Sequence, residues 1–228
     1  MYTSAIIPAA GSGERFGGKK QLKNLAGRPL LYHTLQPFIR SLLVNEIVVV
    51  APIEDVDSLN RELRSTISKK PIKVVAGGES RQSSVYNGLL ASKNKSKLIC
   101  VHDAVRPFIT EDIIEKAVKA CNEHDGVIVA EPSTDTIKRI QGNQILETIP
   151  RECVWRAQTP QIFSKVALEE ALKLAKEKDI NGTDEASILE RIGYQVGFVA
   201  GSPLNIKITN KEDWIFAEAI YNHLGEKA

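Results

Sequence analysis

The chain has 228 residues, of which 43% are hydrophobic and 25% are charged, values close to those of an average globular protein. Its formal net charge of +2 argues against a protein that coats nucleic acid or binds membranes through a basic patch. No apolar run approaches the roughly 18 residues of a membrane-spanning helix, and the N-terminus lacks the features of a signal peptide. Three widely spaced cysteines form no metal-binding pattern, so we expect a reducing, cytoplasmic location.

Apolar, β-branched runs alternate with helical patterns along most of the chain. We predict strands at residues 5–8, 46–51, 72–76, 97–102, 126–130, 195–200 and 205–208. We predict helices at residues 30–41, 54–68, 80–92, 111–122, 165–178, 184–192 and 212–224, the last with a capping box of Thr209 and Glu212. The alternation predicts an α/β fold with a mostly parallel, Rossmann-like sheet and helices on both faces.

Residues 132–150 interrupt this alternation. Two runs of alternating residues, 136–140 and 145–149, flank a turn that contains Gly142 and Asn143, a pattern typical of a β-hairpin. An insertion that protrudes from an α/β domain more often serves as an interaction arm than as part of the core. An ordinary hairpin at the edge of the sheet is the alternative.

A loop rich in small residues follows the first predicted strand. Small residues let the backbone approach a ligand closely, and their N–H groups can cradle phosphate oxygens. The loop is not a dinucleotide-binding GxGxxG motif, because Phe16 stands where the third glycine would be. It is not a typical P-loop either, because Lys20 stands where a magnesium-binding hydroxyl is required. A surface turn is the plain alternative to an anion site.

The charge pattern after this loop favours an anion site. Residues 15–45 contain no acidic side chain but include the basic residues Arg15, Lys19, Lys20, Lys23, Arg28 and Arg40. Such a run is usually only a solvated face. Here it follows a glycine loop at the C-terminal end of a strand, where ligands bind in open α/β sheets. The pattern therefore predicts a site for a polyphosphate.

Two further positions carry charges in unusual places. Asp103 follows a buried strand, where a carboxylate can bind Mg²⁺ together with substrate phosphates; a capping Asp in a turn is the alternative. Lys207 lies inside an apolar run that is predicted to be a strand, which is unusual unless its side chain faces an anion.

A family resemblance rests on seven segments in a fixed order: AAGSGER, GGESRQSS, HDAVRP, DTIK, WRAQTPQ, TDEA and NIK. Together they resemble the 2-C-methyl-D-erythritol 4-phosphate cytidylyltransferases, nucleotidyltransferases of the non-mevalonate isoprenoid pathway. The resemblance implies a single nucleotidyltransferase domain over residues 1–228 that transfers CMP from CTP to methylerythritol phosphate. A cytidylyltransferase for another polyol phosphate, such as ribitol 5-phosphate, is the nearest alternative, and a non-catalytic nucleotide-binding module is a second.

The resemblance also implies roles for individual residues. The side chains that bind the triphosphate and stabilise the transition state would be Arg15, Lys20 and Lys207. The nucleotide would be surrounded by Ala9, Ala10, Gly11, Ser12, Gly13, Gly78, Glu79 and Ser84. The acceptor side would be formed by Asp103, Arg106, Thr136, Arg151, Thr159 and Thr183, with Asp103 also holding Mg²⁺ or another divalent cation.

Two of these implied roles depend on structure: which loop lysine faces the site, and whether the chain forms a dimer. Fewer residues than usual in the family separate Arg15 from the loop lysine, so Lys19 and Lys20 both fit that role; the following Gln21 favours Lys20. In the family, the segment corresponding to residues 132–155 is an extended dimerisation arm that reaches the active site of the other subunit. Thr136 and Arg151 lie on this arm, which implies a homodimer.

Overall fold

The computed structural model describes residues 1–65 and 70–225. Its strands are β1 (Thr3–Pro8), β2 (Asn24–Leu25), β3 (Arg28–Pro29), β4 (Glu46–Ala51), β5 (Ile72–Ala76), β6 (Leu98–Val101), β7 (Gly126–Pro132), β8 (Ile137–Gln141), β9 (Gln144–Ile149), β10 (Trp155–Ser164) and β11 (Val196–Ala200). In the described residues, seven of these strands form one sheet in the order β5-β4-β1-β6-β10-β7-β11. Neighbours in this sheet are parallel except at β10, which is antiparallel to both β6 and β7. The prediction of a mostly parallel α/β sheet is confirmed.

Helices cover both faces of this sheet. They are α1 (Leu30–Arg40), α2 (Val56–Ser65), α3 (Arg81–Ala91), α4 (Glu111–Ala120), α5 (Lys165–Glu177), α6 (Glu185–Arg191) and α7 (Lys211–Gly225). None of the helices in the described part of the chain is long and apolar enough to cross a membrane.

Alternate residues of β4 enter two separate cores. Ile47 and Val49 pack with side chains of α1, α2 and α4, whereas Val48 and Val50 pack with those of α3, α5 and α6. All four side chains are completely buried. This two-sided burial explains why the strand is an unbroken apolar run instead of an alternating one.

The order of the strands creates a crevice at one edge of the sheet. From β1 the chain proceeds to β4 and β5 on one side and then returns to place β6 on the other side of β1. In open α/β sheets, ligands bind at such a reversal, outside the C-terminal ends of the strands. The loops that follow β1, β5 and β6 all emerge at this edge.

One predicted strand is wrong, and one strand of the sheet was not predicted. Residues 205–208 are not a strand: Ile206 and Ile208 instead pack against Phe16 and α7, so their apolar pattern reflects a separate small core. Conversely, β10 was not predicted, although it lies inside the sheet. Its middle carries Pro160 between polar residues, a composition that argues against a central strand, and the pairing with β7 shifts register there.

The helix predictions differ mainly at their ends. The predicted helix 54–68 begins as a short 3-10 turn, Ile53–Asp55, before α2, and its predicted end at residues 66–68 lies outside the described residues. The predicted capping box of α7 is displaced by one residue. The Asp213 N–H donates to Asn210 Oδ1 at 2.9 Å, and the Asn210 N–H donates to Asp213 Oδ2 at 3.0 Å.

The predicted hairpin is confirmed and protrudes from the sheet. Strands β8 and β9 pair antiparallel around Gly142, whose φ of 56° lies in the left-handed region that such a turn requires. The pair β7 and β10 leads into the arm and out of it, with Pro132 opposite Trp155 in the register. Most arm side chains are exposed, including the apolar Ile140 and Ile145.

Candidate active site

A cleft of about 430 Å³ opens at the crevice edge of the sheet. Its lining includes eleven of the residues predicted to form the site: Ala9, Ala10, Gly11, Ser12, Gly13, Lys20, Gly78, Glu79, Ser84, Asp103 and Lys207. It also includes residues that the sequence analysis did not assign to the site: Pro8, Gln21, Ser80, Arg81, Ala104 and Val105. The loops after β1, β5 and β6 therefore converge on one space, together with the segment that precedes α7.

The glycine loop is held in a fixed shape from inside. Gly13 has a φ of 73°, and its carbonyl oxygen accepts the N–H groups of Gly17 and Gly18 at 3.0 and 3.2 Å. The buried amide of Gln21 donates to the carbonyl oxygens of Ala9 at 2.8 Å and Gly11 at 3.2 Å. Because Gln21 bonds the end of the loop to its start, the neighbouring Lys20 is positioned at the cleft.

The two loop lysines point to different partners. Lys19 Nζ forms ion pairs with Glu54 at 2.9 Å and Asp55 at 2.6 Å and is not among the residues lining the cleft. Lys20 lines the cleft, and its Nζ donates to the carbonyl oxygen of Thr209 at 3.2 Å. Burial lowers the pKa of Lys20, and the positive charges of Arg15 and Lys207 lower it further. Lys20 is therefore the loop lysine that faces the cleft, in an electropositive environment.

Asp103 is the centre of a charge cluster in the cleft wall. Lys207 Nζ lies 2.8 Å from Oδ2, Arg81 Nη2 lies 3.2 Å from Oδ1, and Arg106 Nε lies 3.7 Å from Oδ2. Burial opposes ionisation of this carboxyl, but Arg81 and Lys207 outweigh that effect and hold its pKa well below its usual range. Asp103 is thus a carboxylate at neutral pH, bordered by three cations.

Arg81 links Asp103 to a second buried carboxyl group. Its Nη1 donates to Glu185 Oε1 and Oε2 at 2.7 and 2.9 Å, while its Nε and Nη2 donate to Asp103 Oδ1. Burial raises the pKa of Glu185, and Arg81 partly offsets that rise. Ser80 caps α3 just before Arg81, and Asp184 caps α6 just before Glu185, so two helix starts fix this pair.

Arg106 and Thr159 lie behind Asp103. Arg106 is buried and its Nη1 donates to the carbonyl oxygen of Asn205 at 2.7 Å. Thr159 Oγ1 accepts the backbone N–H of Asp103 at 3.1 Å and lies 2.9 Å from His102 Nδ1. Neither residue is among those lining the cleft, although both were predicted to contact the acceptor. Their position supports Asp103 from the protein interior.

The remaining predicted site residues lie outside the cleft lining of the described chain. Arg15 is exposed in the 3-10 turn Glu14–Phe16, Thr183 is exposed just before α6, and Thr136 and Arg151 are exposed on the arm. Arg151 Nη1 donates to the carbonyl oxygen of Thr134 within the arm at 3.3 Å. A single copy of the chain therefore does not bring the arm residues to its own cleft.

The side chains around the cleft could bind a metal only together with substrate phosphates. Asp103 supplies one ionised carboxylate, and no group of three or more His, Cys, Asp or Glu side chains in residues 1–65 and 70–225 is arranged to hold a metal. Mg²⁺ at nucleotide sites is commonly bound by one or two carboxylates, with substrate phosphates as further ligands. Because Asp103 already pairs with Arg81 and Lys207, the residues present fit only a metal that arrives with a triphosphate and takes most of its ligands from the phosphates.

Comparison with known proteins agrees with this geometry. The family model for 2-C-methyl-D-erythritol 4-phosphate cytidylyltransferase matches residues 3–223. A protein of that name from Halalkalibacterium halodurans is 40% identical over 222 residues, covering 96% of this chain and 97% of the relative. One from Geobacter metallireducens is 41% identical over 225 residues, with 96% and 97% covered.

The fold of this chain is also similar to those of solved structures. The crystal structure of a 4-diphosphocytidyl-2C-methyl-D-erythritol synthase from Anaerococcus prevotii superposes with a TM-score of 0.88 at 33% identity, covering 97% of this chain and 96% of that one. The 2-C-methyl-D-erythritol 4-phosphate cytidylyltransferase of Francisella tularensis superposes with a TM-score of 0.81 at 33% identity, with 96% and 100% covered. The chain belongs to the 2-C-methyl-D-erythritol 4-phosphate cytidylyltransferase family.

Proposed function

We propose that this chain transfers the cytidylyl group of CTP to 2-C-methyl-D-erythritol 4-phosphate, giving the CDP-methylerythritol product and pyrophosphate. Family membership over residues 3–223 names this reaction. The observation that carries it in the chain itself is the convergence of Lys20 and Lys207 on a cleft bounded by a glycine loop. A cytidylyltransferase for ribitol 5-phosphate is not favoured, because the family model and the matched relatives bear the methylerythritol name.

The glycine loop suits the triphosphate, and the loop after β5 suits the nucleoside. The small residues from Ala9 to Gly13 leave room for phosphates close to the backbone, with Lys20 beside them. Arg15, whose positive charge lowers the pKa of Lys20, would bind the triphosphate together with that lysine. On the other side, the Gly78 N–H donates to Ser84 Oγ at 3.1 Å, which fixes the loop that would contact cytosine and ribose.

The chemistry requires charge neutralisation more than proton transfer. An oxygen of the acceptor phosphate attacks the α-phosphorus of CTP, a new P–O bond forms, and the bond to the β-phosphate breaks to release pyrophosphate. The second pKa of a phosphate monoester is about 6, so the nucleophile is ionised at neutral pH without a general base. Two polyanions must meet, and Lys20 and Lys207 would offset their repulsion and the charge of the transition state.

Asp103 would act on the acceptor side. As a carboxylate beside Lys207, it can accept hydrogen bonds from polyol hydroxyls while Lys207 attracts the acceptor phosphate. Arg106 and Thr159 would keep Asp103 in place from behind, and Thr183 would contribute from the rim. Such positioning of a reacting group lowers the barrier by removing the cost of orienting two molecules.

We propose Mg²⁺, or another divalent cation, as a companion of CTP. Asp103 would hold it together with the substrate phosphates, since it is the ionised carboxylate in the buried wall of the cleft. When bound, the metal would neutralise phosphate charge and polarise the α-phosphoryl group. Removal of divalent cations with a chelator should abolish turnover, and added Mg²⁺ should restore it.

We also propose a homodimer in which the arm completes the cleft of the other subunit. The arm exposes the apolar side chains of Ile140, Ile145 and Leu146, and a two-stranded ribbon of this kind is only marginally stable alone. At its base, the ring centroids of the partly exposed Trp155 and Phe198 lie 4.8 Å apart. A second copy would cover these apolar surfaces.

Mixed-dimer complementation tests the arm. Arg151→Ala and Arg15→Ala should each be inactive as homodimers, whereas a mixture after subunit exchange should regain activity, because one hybrid cleft then has both arginines. Sedimentation should show a dimer for wild type and both variants. No recovery in a verified mixed dimer would contradict the exchange of arms.

A pyrophosphate-release assay tests the reaction itself. With CTP, release should occur with methylerythritol phosphate and not with ribitol 5-phosphate. Release with ribitol 5-phosphate alone would favour the other cytidylyltransferase, and no release with any acceptor would favour a nucleotide-binding module.

We infer a cytoplasmic location from the cysteines. Cys100 and Cys121 are buried free thiols and Cys153 is an exposed one, as expected for a protein of a reducing compartment. Cell fractionation with a thiol-reactive probe for Cys153 would test this: a reduced thiol in the cytoplasmic fraction is expected.

A further inference from the structure

Glu185 is a buried charged residue that the reaction described above does not use. Its side chain is 1% exposed at the start of α6, and both of its oxygens face Nη1 of Arg81. Burial of a carboxyl group costs free energy, and a buried ion pair often stabilises a protein no more than apolar residues of similar size would. Stability alone therefore gives little reason for this pair.

Arg81 connects Glu185 to the reactive wall of the cleft. Its guanidinium uses one edge for Glu185 and the other for Oδ1 of Asp103, at 3.2 and 3.3 Å. Asp103 Oδ2 is thereby left to Lys207, whose Nζ lies 2.8 Å away, and to the more distant Nε of Arg106 at 3.7 Å. The four side chains form a continuous row of alternating charges that runs from the interior to the cleft.

The contacts within this row are fixed by the planar, forked guanidinium group of Arg81. A guanidinium held at both edges cannot rotate, so it offers Asp103 only the Nε and Nη2 donors. If Glu185 released Nη1, Arg81 could turn to cover both oxygens of Asp103 and displace Lys207. It could also turn into the cleft, which it lines, and hold substrate phosphate in an unproductive position.

We propose that Glu185 is a positioning residue that acts through Arg81 to keep Lys207 on the outer oxygen of Asp103. The proposal rests on the cytidylyltransferase function above, because the position of Lys207 matters only if Lys207 meets substrate. Glu185 itself touches no substrate. Glu185 affects the reaction by setting the position of Lys207, from which it is separated by Arg81 and Asp103.

Glu185→Gln is the decisive variant, because it keeps the shape of the side chain and removes its charge. We expect kcat with CTP and methylerythritol phosphate to fall about tenfold to a hundredfold, the usual cost of displacing a reacting group by roughly an ångström. The KM for CTP should change little, because the glycine loop is untouched. Glu190→Gln is the matched control, since Glu190 is exposed on the same helix, and it should behave as wild type.

A spectroscopic measurement separates positioning from a merely structural role. In ¹⁵N-labelled protein, the Nε–Hε signal of Arg81, identified by its loss in Arg81→Lys, should shift in Glu185→Gln and stay in place in Glu190→Gln. If Glu185→Gln retains wild-type kcat, or only lowers the melting temperature while kcat and the Arg81 signal stay unchanged, the proposal is wrong.

Two further outcomes are also decisive. If Glu185→Gln does not fold, Arg81→Lys is assayed instead: a lysine keeps a cation beside Glu185 but cannot reach both carboxylates, so kcat should again fall about tenfold or more. Wild-type kcat in folded Arg81→Lys would overturn the proposal. Inactive wild-type protein would overturn the proposed function and this inference with it, whereas active wild type with unaffected variants overturns only the inference.

Discussion

Lys207 Nζ lies 2.8 Å from Oδ2 of Asp103, so a cation at the cleft is paired with a buried carboxylate of the protein. The lysine side chain is 41% exposed, whereas that of Asp103 is 8% exposed. An incoming phosphate can therefore approach the ammonium group from the solvent side without breaking into the protein. The pair keeps Lys207 oriented towards the cleft while leaving its outer side available.

Replacing Lys207 by Ala should lower kcat by about a hundredfold to a thousandfold, the usual effect of removing one preorganised group that stabilises transition-state charge. The fold should survive, because Asp103 keeps Arg81 and Arg106 as partners. Steady-state kinetics together with circular dichroism would check both expectations. Lys178→Ala is the control, since that exposed lysine lies at the end of α5, and a nearly normal kcat in folded Lys207→Ala would refute the role.

The two loop lysines should respond differently to substitution. Lys20→Ala removes a cation from the cleft and should reduce kcat by about a hundredfold or more. Lys19→Ala removes ion pairs with the exposed Glu54 and the partly buried Asp55, both outside the cleft lining, and should leave kcat close to that of wild type. Parallel measurement of kcat and KM for CTP would decide the matter. The opposite ranking would assign the role to Lys19.

Gly13→Ala should impair CTP binding. Gly13 has a φ of 73°, and a Cβ atom there would collide with the carbonyl oxygen of Gly18, so the loop must change shape. We expect a raised KM for CTP with little change in melting temperature, because the loop is at the surface. Gly225→Ala, with open space around the added Cβ, serves as the control. Unchanged CTP binding by Gly13→Ala would show that this loop does not contact the nucleotide.

His102 should make stability depend on pH. Burial lowers the pKa of His102 from 6.5 to about 4 in the folded protein, so the folded state keeps this ring neutral. Below about pH 6.5 the unfolded chain binds a proton that the folded chain does not. The free energy of unfolding should therefore decrease as pH falls from about 6.5 towards 4.

Urea unfolding of His102→Gln would isolate this effect. The variant should be less stable than wild type near pH 7, because Thr159 and the Arg106 carbonyl lose their imidazole partner. Its free energy of unfolding should decrease less than that of wild type between about pH 7 and about pH 5. Parallel pH profiles for the two proteins would show that His102 does not titrate as expected.

The fold could be predicted from the sequence wherever local composition and tertiary environment agree. Strand β4 is apolar at every interior position because both faces are buried, and its predicted bounds match the structure. Strand β10 was missed because its central residues are polar and make hydrogen bonds beside the site. Thr159, for example, contacts His102 and the Asp103 backbone. Apolar patterning detects burial between helices, and it does not detect a strand whose side chains bind polar groups.

Part of the candidate site could be predicted because some of its charged residues occupy unusual places in the sequence. Asp103 stands out in sequence because it directly follows an apolar strand, and Lys20 stands out because it lies in an acid-free run of basic residues after a glycine loop. Arg81 and Glu185 do not stand out, since each lies at a helix start, where a charged residue is ordinary. Their partnership joins positions 104 residues apart and appears only when the two helices are placed side by side.

The arm leaves and re-enters the sheet at a single point. Pro132 and Trp155 are opposite each other in the antiparallel pair of β7 and β10, so the two ends of the segment between them are about 5 Å apart. A gap of that size is what a tight turn bridges. The twenty-odd residues of the arm are therefore a detachable module: the sheet beneath closes without them, and replacing them with a short turn should yield a chain that folds as a monomer.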